Sequence, residues 1–174
     1  MWYVLQVKTG QEIAVANALA EKQLLAYVPR ENRLIRKNGG WSTKEYTLFP
    51  SYVFVNLNYT AETYYQVRGI PNVQKFLGPD GLHPATLSNL EAEWIKILSG
   101  GGAPLEPTSA TKGPDGEIQL VNGVLQNFIT RIQEIDKRAH RAKVEITLCG
   151  EVKTLPLSFN LLNDLNEEQE PASN

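Results

Sequence analysis

Apolar positions along the chain follow two rhythms, and the change falls near residue 99. Trp2 to Val7 is an almost unbroken run of aromatic and β-branched residues, the pattern of a strand buried on both faces. From Glu12 to Ala26, the residues Ile13, Ala16, Ala20 and Leu24 recur at helical spacing. Tyr27 to Arg36 alternates loosely, and Asn38-Gly39-Gly40 supplies residues that tolerate the positive φ of a hairpin tip. A returning strand runs through Tyr46 to Leu57. Thr60 is placed to cap a short helix through about Arg68, and Val73 to Leu77 reads as a strand. Leu87 to Leu98 reads as a helix, with Ser88 and Glu91 at capping-box spacing and Leu90, Trp94 and Ile97 on one apolar face. This order predicts an α+β unit, an antiparallel sheet layered with helices.

Beyond residue 116 no helical period appears. Ile118 to Val121, Ile129 to Ile135, Lys143 to Leu148 and Val152 to Leu157 are short and alternating. Asn122-Gly123, Asp136 to His140 and Cys149-Gly150 punctuate them. Short strands so spaced predict a small β-barrel, which removes exposed strand edges by closure. Between the two rhythms, Ser99 to Gly116 holds three consecutive glycines, several prolines and one large apolar side chain, Leu105. A structureless stretch of this length is unusual inside a compact domain and reads as a flexible linker. The expected organisation is therefore a first domain over 1–98, a linker over 99–115, a barrel over 116–163 and an acidic tail over 164–174.

Composition narrows the class of protein. Hydrophobic residues at 42% and charged residues at 21% match ordinary globular chains and argue against a disordered or coiled-coil protein. No apolar run approaches the roughly 18–20 residues that span a bilayer, and the start lacks the regions of a signal peptide. The single cysteine, Cys149, permits no internal disulfide, so a reducing, cytoplasmic setting without membrane attachment is expected. There the sequon Asn58-Tyr59-Thr60 is an accidental match.

The net charge of −2 conceals segregation. Arg30, Arg33, Arg36, Lys37 and Lys44 stand against Glu31 alone within residues 30–44, and Arg131, Lys137, Arg138, Arg141 and Lys143 against Glu134 and Asp136 within residues 131–143. Local cationic clusters matter for polyanion binding more than the total does.

Candidate reaction chemistry is sparse. His83 and His140 lie in turns without a neighbouring ligand at metal spacing, and each reads as a plain surface residue. Cys149 follows a strand pattern and reads as a small hydrophobe. Neither phosphate-cradling glycine motif occurs, and Glu91 and Glu93 point to different helix faces. No metal, cofactor or enzymatic activity is expected.

What remains is an inventory of aromatic and basic side chains. Trp2, Tyr3, Phe49, Tyr52, Phe54, Tyr59, Tyr64 and Tyr65 crowd the first domain. Tyr52 and Phe54 share one face of their strand, Val53 and Val55 the other, so both sheet faces need covering, one by helices and one by something else. The basic hairpin is either a solvated face or a nucleic-acid footprint, and both readings stay open.

These residues carry a family resemblance. Trp2-Tyr3-Val4-Leu5-Gln6-Val7, Phe49-Pro50-Ser51-Tyr52-Val53-Phe54-Val55, and Val67-Arg68-Gly69-Ile70-Pro71-Asn72-Val73 with Phe76-Leu77-Gly78 resemble the N-terminal (NGN) domain of NusG-type transcription elongation factors. Gly116-Glu117-Ile118, Phe128, Glu134-Ile135-Asp136, Arg141-Ala142-Lys143-Val144, Gly150 and Pro156-Leu157-Ser158-Phe159 resemble their KOW domain. The resemblance implies that the first domain docks on the clamp helices of RNA polymerase, with Trp2, Phe49 and Tyr52 at the contact aromatics and Tyr65 as an addition. A factor so bound favours the processive state, suppressing pausing and termination by differential affinity, without chemistry.

The departures also matter. Where housekeeping members carry Gly-Pro-Phe and Phe-Gly-Arg, this chain has Gly123-Val124-Leu125 and Cys149-Gly150-Glu151; the family's KOW glycine is Thr130, and Ser51 replaces a glycine in the clamp motif. Leu125, Phe128, Cys149 and Glu151 occupy the family's KOW partner surface, so partnership with Rho or a ribosomal small-subunit protein is not carried over. The chain is similar to the specialised LoaP or UpxY paralogues, which implies a monomer recruited by a nascent RNA hairpin. The residues placed to read such an RNA are Arg30, Arg33, Arg36, Lys37 and Lys44, with Trp41 at the ribbon tip to stack on a base. The alternatives are a general elongation factor without a recruitment signal, an RNA-recognition-motif protein suggested faintly by Ser51 to Leu57, and an enzyme whose site assembles from distant residues.

Overall fold

The structure is a computed structural model describing residues 1–80 and 82–162. The acidic tail expected over 164–174 lies outside the described residues. The chain divides into two compact units, one of Met1–Arg30, Thr47–Ala103 and Thr147–Glu151, the other of Glu31–Tyr46, Pro104–Ile146 and the chain from Val152 onward.

In the first unit, strands β1 (Trp2–Val7), β2 (Leu25–Tyr27), β5 (Tyr52–Asn56) and β6 (Val73–Phe76) form an antiparallel sheet in the order β2-β5-β1-β6. Strand β1 is central, pairing Tyr3 with Val55 and Leu5 with Val53, which explains its unbroken apolar run. Helices α1 (Glu12–Glu21) and α2 (Ala61–Arg68) supply one side of the core, where Val15, Leu19 and Val67 meet Tyr3, Leu5, Val7, Val53 and Val55. Helix α3 (Asn89–Leu98) completes the elements of this unit.

Both expected capping residues do their work. Ser88 Oγ accepts from the Glu91 backbone N–H at 3.2 Å while Glu91 Oε2 accepts from the Ser88 N–H at 2.6 Å. Thr60 and Thr63 form the same reciprocal pair on α2. The buried stripes are rotated from the expected ones. Helix α1 buries Val15 and Leu19 and leaves Ile13 40% exposed; α3 buries Trp94, Ile95 and Leu98 and leaves Leu90 54% exposed. Each helix carries two overlapping apolar registers, and packing against the sheet chooses between them.

In the second unit, β3 (Arg30–Lys37) and β4 (Gly40–Thr47) form a two-stranded ribbon, each strand reaching one residue beyond the unit boundary. Its tip has positive φ at both Asn38 (53°) and Gly39 (80°), the geometry that matches strand twist in a two-residue hairpin. Strands β7 (Thr108–Lys112), β8 (Ile118–Asn122), β9 (Ile132–Asp136), β10 (Arg141–Leu148) and β11 (Glu151–Leu161) make a five-stranded sheet in the order β8-β7-β11-β10-β9, curled into a half-barrel. Its core includes Ala110, Leu125, Phe128, Ala142, Val144, Ile146, Leu157 and Phe159.

Several segments differ from the sequence reading. Glu31–Tyr46, expected within the first domain over 1–98, group with the second unit, and Thr147–Glu151, expected within the barrel over 116–163, group with the first, because long-range pairing rather than chain order sets the units. The interval expected as linker contains β7, which pairs in parallel with β11 (Phe159 opposite Thr108) and antiparallel with β8. Thr108-Ser109-Ala110-Thr111 offers no large apolar residue, so only its distant partners mark it as a strand. Residues Val124–Arg131, expected to end in a strand from Ile129, wind instead as 3₁₀ turns that insert Leu125 and Phe128 into the core.

Candidate nucleic-acid interface and aromatic face

The basic ribbon is sorted by the fold into structural and exposed cations. Arg30, in the first unit, donates from Nη2 to the Gly102 carbonyl at 2.9 Å. Arg33 donates from Nε to Glu31 Oε1 at 2.8 Å, and its guanidinium lies 4.2 Å from the Tyr46 ring centroid. Glu31 is 3% exposed, and its other oxygen accepts from the Ser158 N–H at 3.0 Å, so this ion pair fastens the base of the ribbon inside the second unit. Arg36, Lys37 and Lys44 remain exposed. Lys44 rests 5.4 Å from the Tyr46 centroid and Arg36 5.5 Å from that of Trp41, at the outer range of cation–π attraction.

Trp41, expected at the tip, is the second residue of β4, just past the Asn38-Gly39 turn. It is half-buried and stacks on His140 at 4.3 Å and 17°, and His140 stacks in turn on Phe159 at 5.5 Å and 26°. His140 is therefore not a surface residue: it is 6% exposed, at φ 56°, in the turn between β9 and β10. Its turn position was legible, but the aromatic sandwich holding it comes from residues nearly a hundred positions apart. Next to it, Arg141 is half-buried and donates to the carbonyls of Ala139 and Leu34, both at 3.0 Å. Burial lowers its pKa, and the neighbouring Arg33 charge adds to that depression against the opposing pull of Glu31.

The aromatic set of the first unit separates into two places. Trp2, Phe49 and Tyr52 go together: Trp2 and Tyr52 point to the same sheet face as Phe54, and Phe49 meets Phe54 edge-on at 5.3 Å. Trp2, stacked on Tyr27 at 5.1 Å, and Phe49 are buried, whereas Tyr52 is half-exposed. Tyr65 is 72% exposed but sits on α2, whose Val67 packs on the opposite face, so the fold does not join it to the other three. Ser51 stands at φ 70°, the left-handed region where a glycine is at ease, and its N–H donates to the buried carboxylate of Glu12 at 2.8 Å.

Of the expected KOW partner surface, Leu125 and Phe128 are core residues, buried because the 3₁₀ turns fold them inward. Glu151 is exposed and Cys149 half-buried. Within the first unit, the Cys149 N–H donates to Glu91 Oε1 at 3.0 Å. Burial, with Glu91 and Glu151 nearby, pushes the Cys149 thiol up, which keeps it protonated and poorly nucleophilic. His83 pairs with Asp80 at 2.8 Å on the surface, an interaction that holds the Asp80 carboxyl below its ordinary range. Among the described residues no group of three His, Cys, Asp or Glu is placed to hold a metal, and no helix is long and apolar enough to cross a membrane.

A protein-family model described as "Transcription termination factor nusG" matches residues 1–96. The chain belongs to the NusG family. It is 30% identical to the transcription termination/antitermination protein NusG of Pasteurella multocida, covering 95% of each chain. It is 29% identical to the protein of the same description from Vibrio cholerae, covering 95% of this chain and 96% of that one. A solved structure described as showing domain interaction in Thermotoga maritima NusG superposes with a TM-score of 0.57 at 25% identity, covering 90% of this chain and 92% of that one. These relatives are transcription factors, not enzymes. The α+β first unit and curled second sheet accord with that fold.

Proposed function

We propose that this chain is a transcription elongation and antitermination factor that binds the clamp helices of RNA polymerase through its first unit, and that a nascent RNA hairpin recruits it to particular operons, as in the LoaP or UpxY paralogues. It acts as a cytoplasmic monomer and needs no cofactor. Family membership supports the polymerase partner. The observation that carries the recruitment is the ribbon itself: with Arg30 and Arg33 engaged in the fold, Arg36, Lys37 and Lys44 are left exposed along two short strands. Rigid aromatics offer contact area at little entropic cost, so the Trp2, Phe49 and Tyr52 group is the assigned clamp surface, with Tyr52 its half-exposed member and Trp2 and Phe49 buried behind it.

Tyr52→Ala is expected to weaken polymerase affinity by about one to two decades, since burying such a ring is worth about 1.5–3 kcal/mol. Unchanged affinity in a protein with a native circular-dichroism spectrum would place the clamp surface elsewhere. For the ribbon, contacts to about three phosphates give log K against log salt a slope of about −2 to −3. Replacing Arg36 and Lys37 together by alanine should make that slope shallower by about 1–2 units and abolish hairpin-dependent antitermination while clamp binding survives. A second reading, a general elongation factor without a recruitment signal, draws on the end-to-end match to the housekeeping relatives. Equal affinities and equal salt slopes for wild-type and doubly substituted protein on leader hairpins would favour it.

A further inference from the structure

Within the second unit, the ribbon and the turn between β9 and β10 border an open cavity of about 620 Å³. Leu34, Ile35 and Trp41 form its apolar wall, and Arg36, Arg138 and Arg141 bring three guanidinium groups to it against the single carboxylate of Asp136. That carboxylate accepts from the Ala139 N–H at 2.8 Å and, with Glu31, offsets only part of the positive charge: three guanidinium groups face one carboxylate in the lining. Arg141 is in deficit: its Nε is buried without a hydrogen-bond partner among the described residues, and it lies close enough to Arg33 to feel its charge. A half-buried guanidinium with a like charge nearby is stabilised by an anion brought close to it, through charge rather than through Nε, which is itself buried. His140 covers one face of the Trp41 indole and fixes its plane.

We infer that this cavity takes one unpaired nucleotide of a single strand, its base against Trp41 and Arg36 and its phosphate between Arg138 and Arg141. The volume lies within the range of small-ligand pockets, and stacking on an aromatic with arginine at the phosphate is how single strands are held. An extruded nucleotide also suits RNA, whose paired major groove is too narrow to read. The inference rests on the recruitment reading and deepens it: the ribbon follows the backbone, and the cavity counts one splayed base. Arg138 is then a binding residue outside the ribbon, in the second basic cluster of the sequence.

The experiment has two arms on the full chain. In the first, ribonucleoside 5′-monophosphates at up to about 10 mM are titrated while the indole N–H signals of the three tryptophans are followed by NMR. The Trp41 signal is expected to move while those of Trp2 and Trp94 stay, and Arg138→Ala should weaken the response about three- to tenfold. In the second, leader hairpins with an intact or an abasic loop position are compared. The intact loop should bind about tenfold or more tightly to the wild-type protein, and that advantage should largely vanish in Arg138→Ala. Deoxyribose versions of the loop identify the source: weaker binding supports RNA, and equal binding supports the nucleotide site while admitting a displaced DNA strand. A stationary Trp41 signal together with equal binding of intact and abasic loops overturns the cavity assignment and leaves hairpin recruitment by the ribbon standing. A Trp41 response without binding of any hairpin supports the cavity and removes the recruitment.

Discussion

Gly123→Ala is expected to lower the stability of the second unit by about 3–6 kcal/mol, read as a shift of the urea midpoint with the slope unchanged. Gly123 sits at φ 141°, which side chains rarely adopt, and a Cβ there would stand 2.6 Å from Thr108 Oγ1, 2.7 Å from Thr108 Cα and 2.9 Å from Thr108 Cβ. Neither party can yield. Thr108 is buried, opens β7 opposite Phe159, and accepts the Leu125 N–H on Oγ1 at 3.0 Å. A methyl group at 123 therefore pushes on the strand that joins β8 to β11 and on the turn that carries Leu125 and Phe128 into the core. Gly150→Ala is the control. Its φ of 81° is also positive, but nothing lies within 4 Å of the added Cβ, so only the backbone strain of about 1–2 kcal/mol should appear. Similar losses at both positions would show that the approach to Thr108 is not what requires a glycine at 123.

Glu31→Ala is expected to cost about 3–5 kcal/mol, because it removes one partner of a buried ion pair and leaves the other without compensation. The Arg33 Nε–H and the Ser158 N–H both lose their acceptor, and the field that offsets the approach of Arg33 to Arg141 goes with it. Glu31→Gln keeps an acceptor for the Ser158 N–H and should fall between the two in denaturant titrations. Glu31→Ala combined with Arg33→Ala should cost less than the sum of the single substitutions, since no unpaired cation remains. Additivity would mean that the two side chains contribute separately. Because the total stability of a domain is about 5–15 kcal/mol, the single substitution should also loosen the base of the ribbon and blur its phosphate contacts.

Local signals in the sequence were sufficient for much of this protein. The unbroken run Trp2 to Val7 announced a central strand, Asn38-Gly39 a tight tip, and Ser88 with Glu91 a helix start, because each depends on residues within a turn or a strand of one another. The alternation after residue 116 announced a β unit, and the motif order announced the family. What required the tertiary structure involves partners far apart in the chain. Helices α1 and α3 each carried two admissible apolar stripes, and packing decided which to bury. Strand β7 has no hydrophobic signature of its own and exists because β8 and β11 pair with it. The separation of Tyr65 from Trp2, Phe49 and Tyr52 follows from which sheet face α2 covers. The sequence showed five cations near the ribbon as equals, but the acceptors that withdraw Arg30 and Arg33 from solvent, Gly102 and Glu31, are chosen by the fold. Likewise, the stack of Trp41, His140 and Phe159 brings the two basic clusters around one cavity because strand pairing and burial, not proximity along the chain, determine which side chains meet.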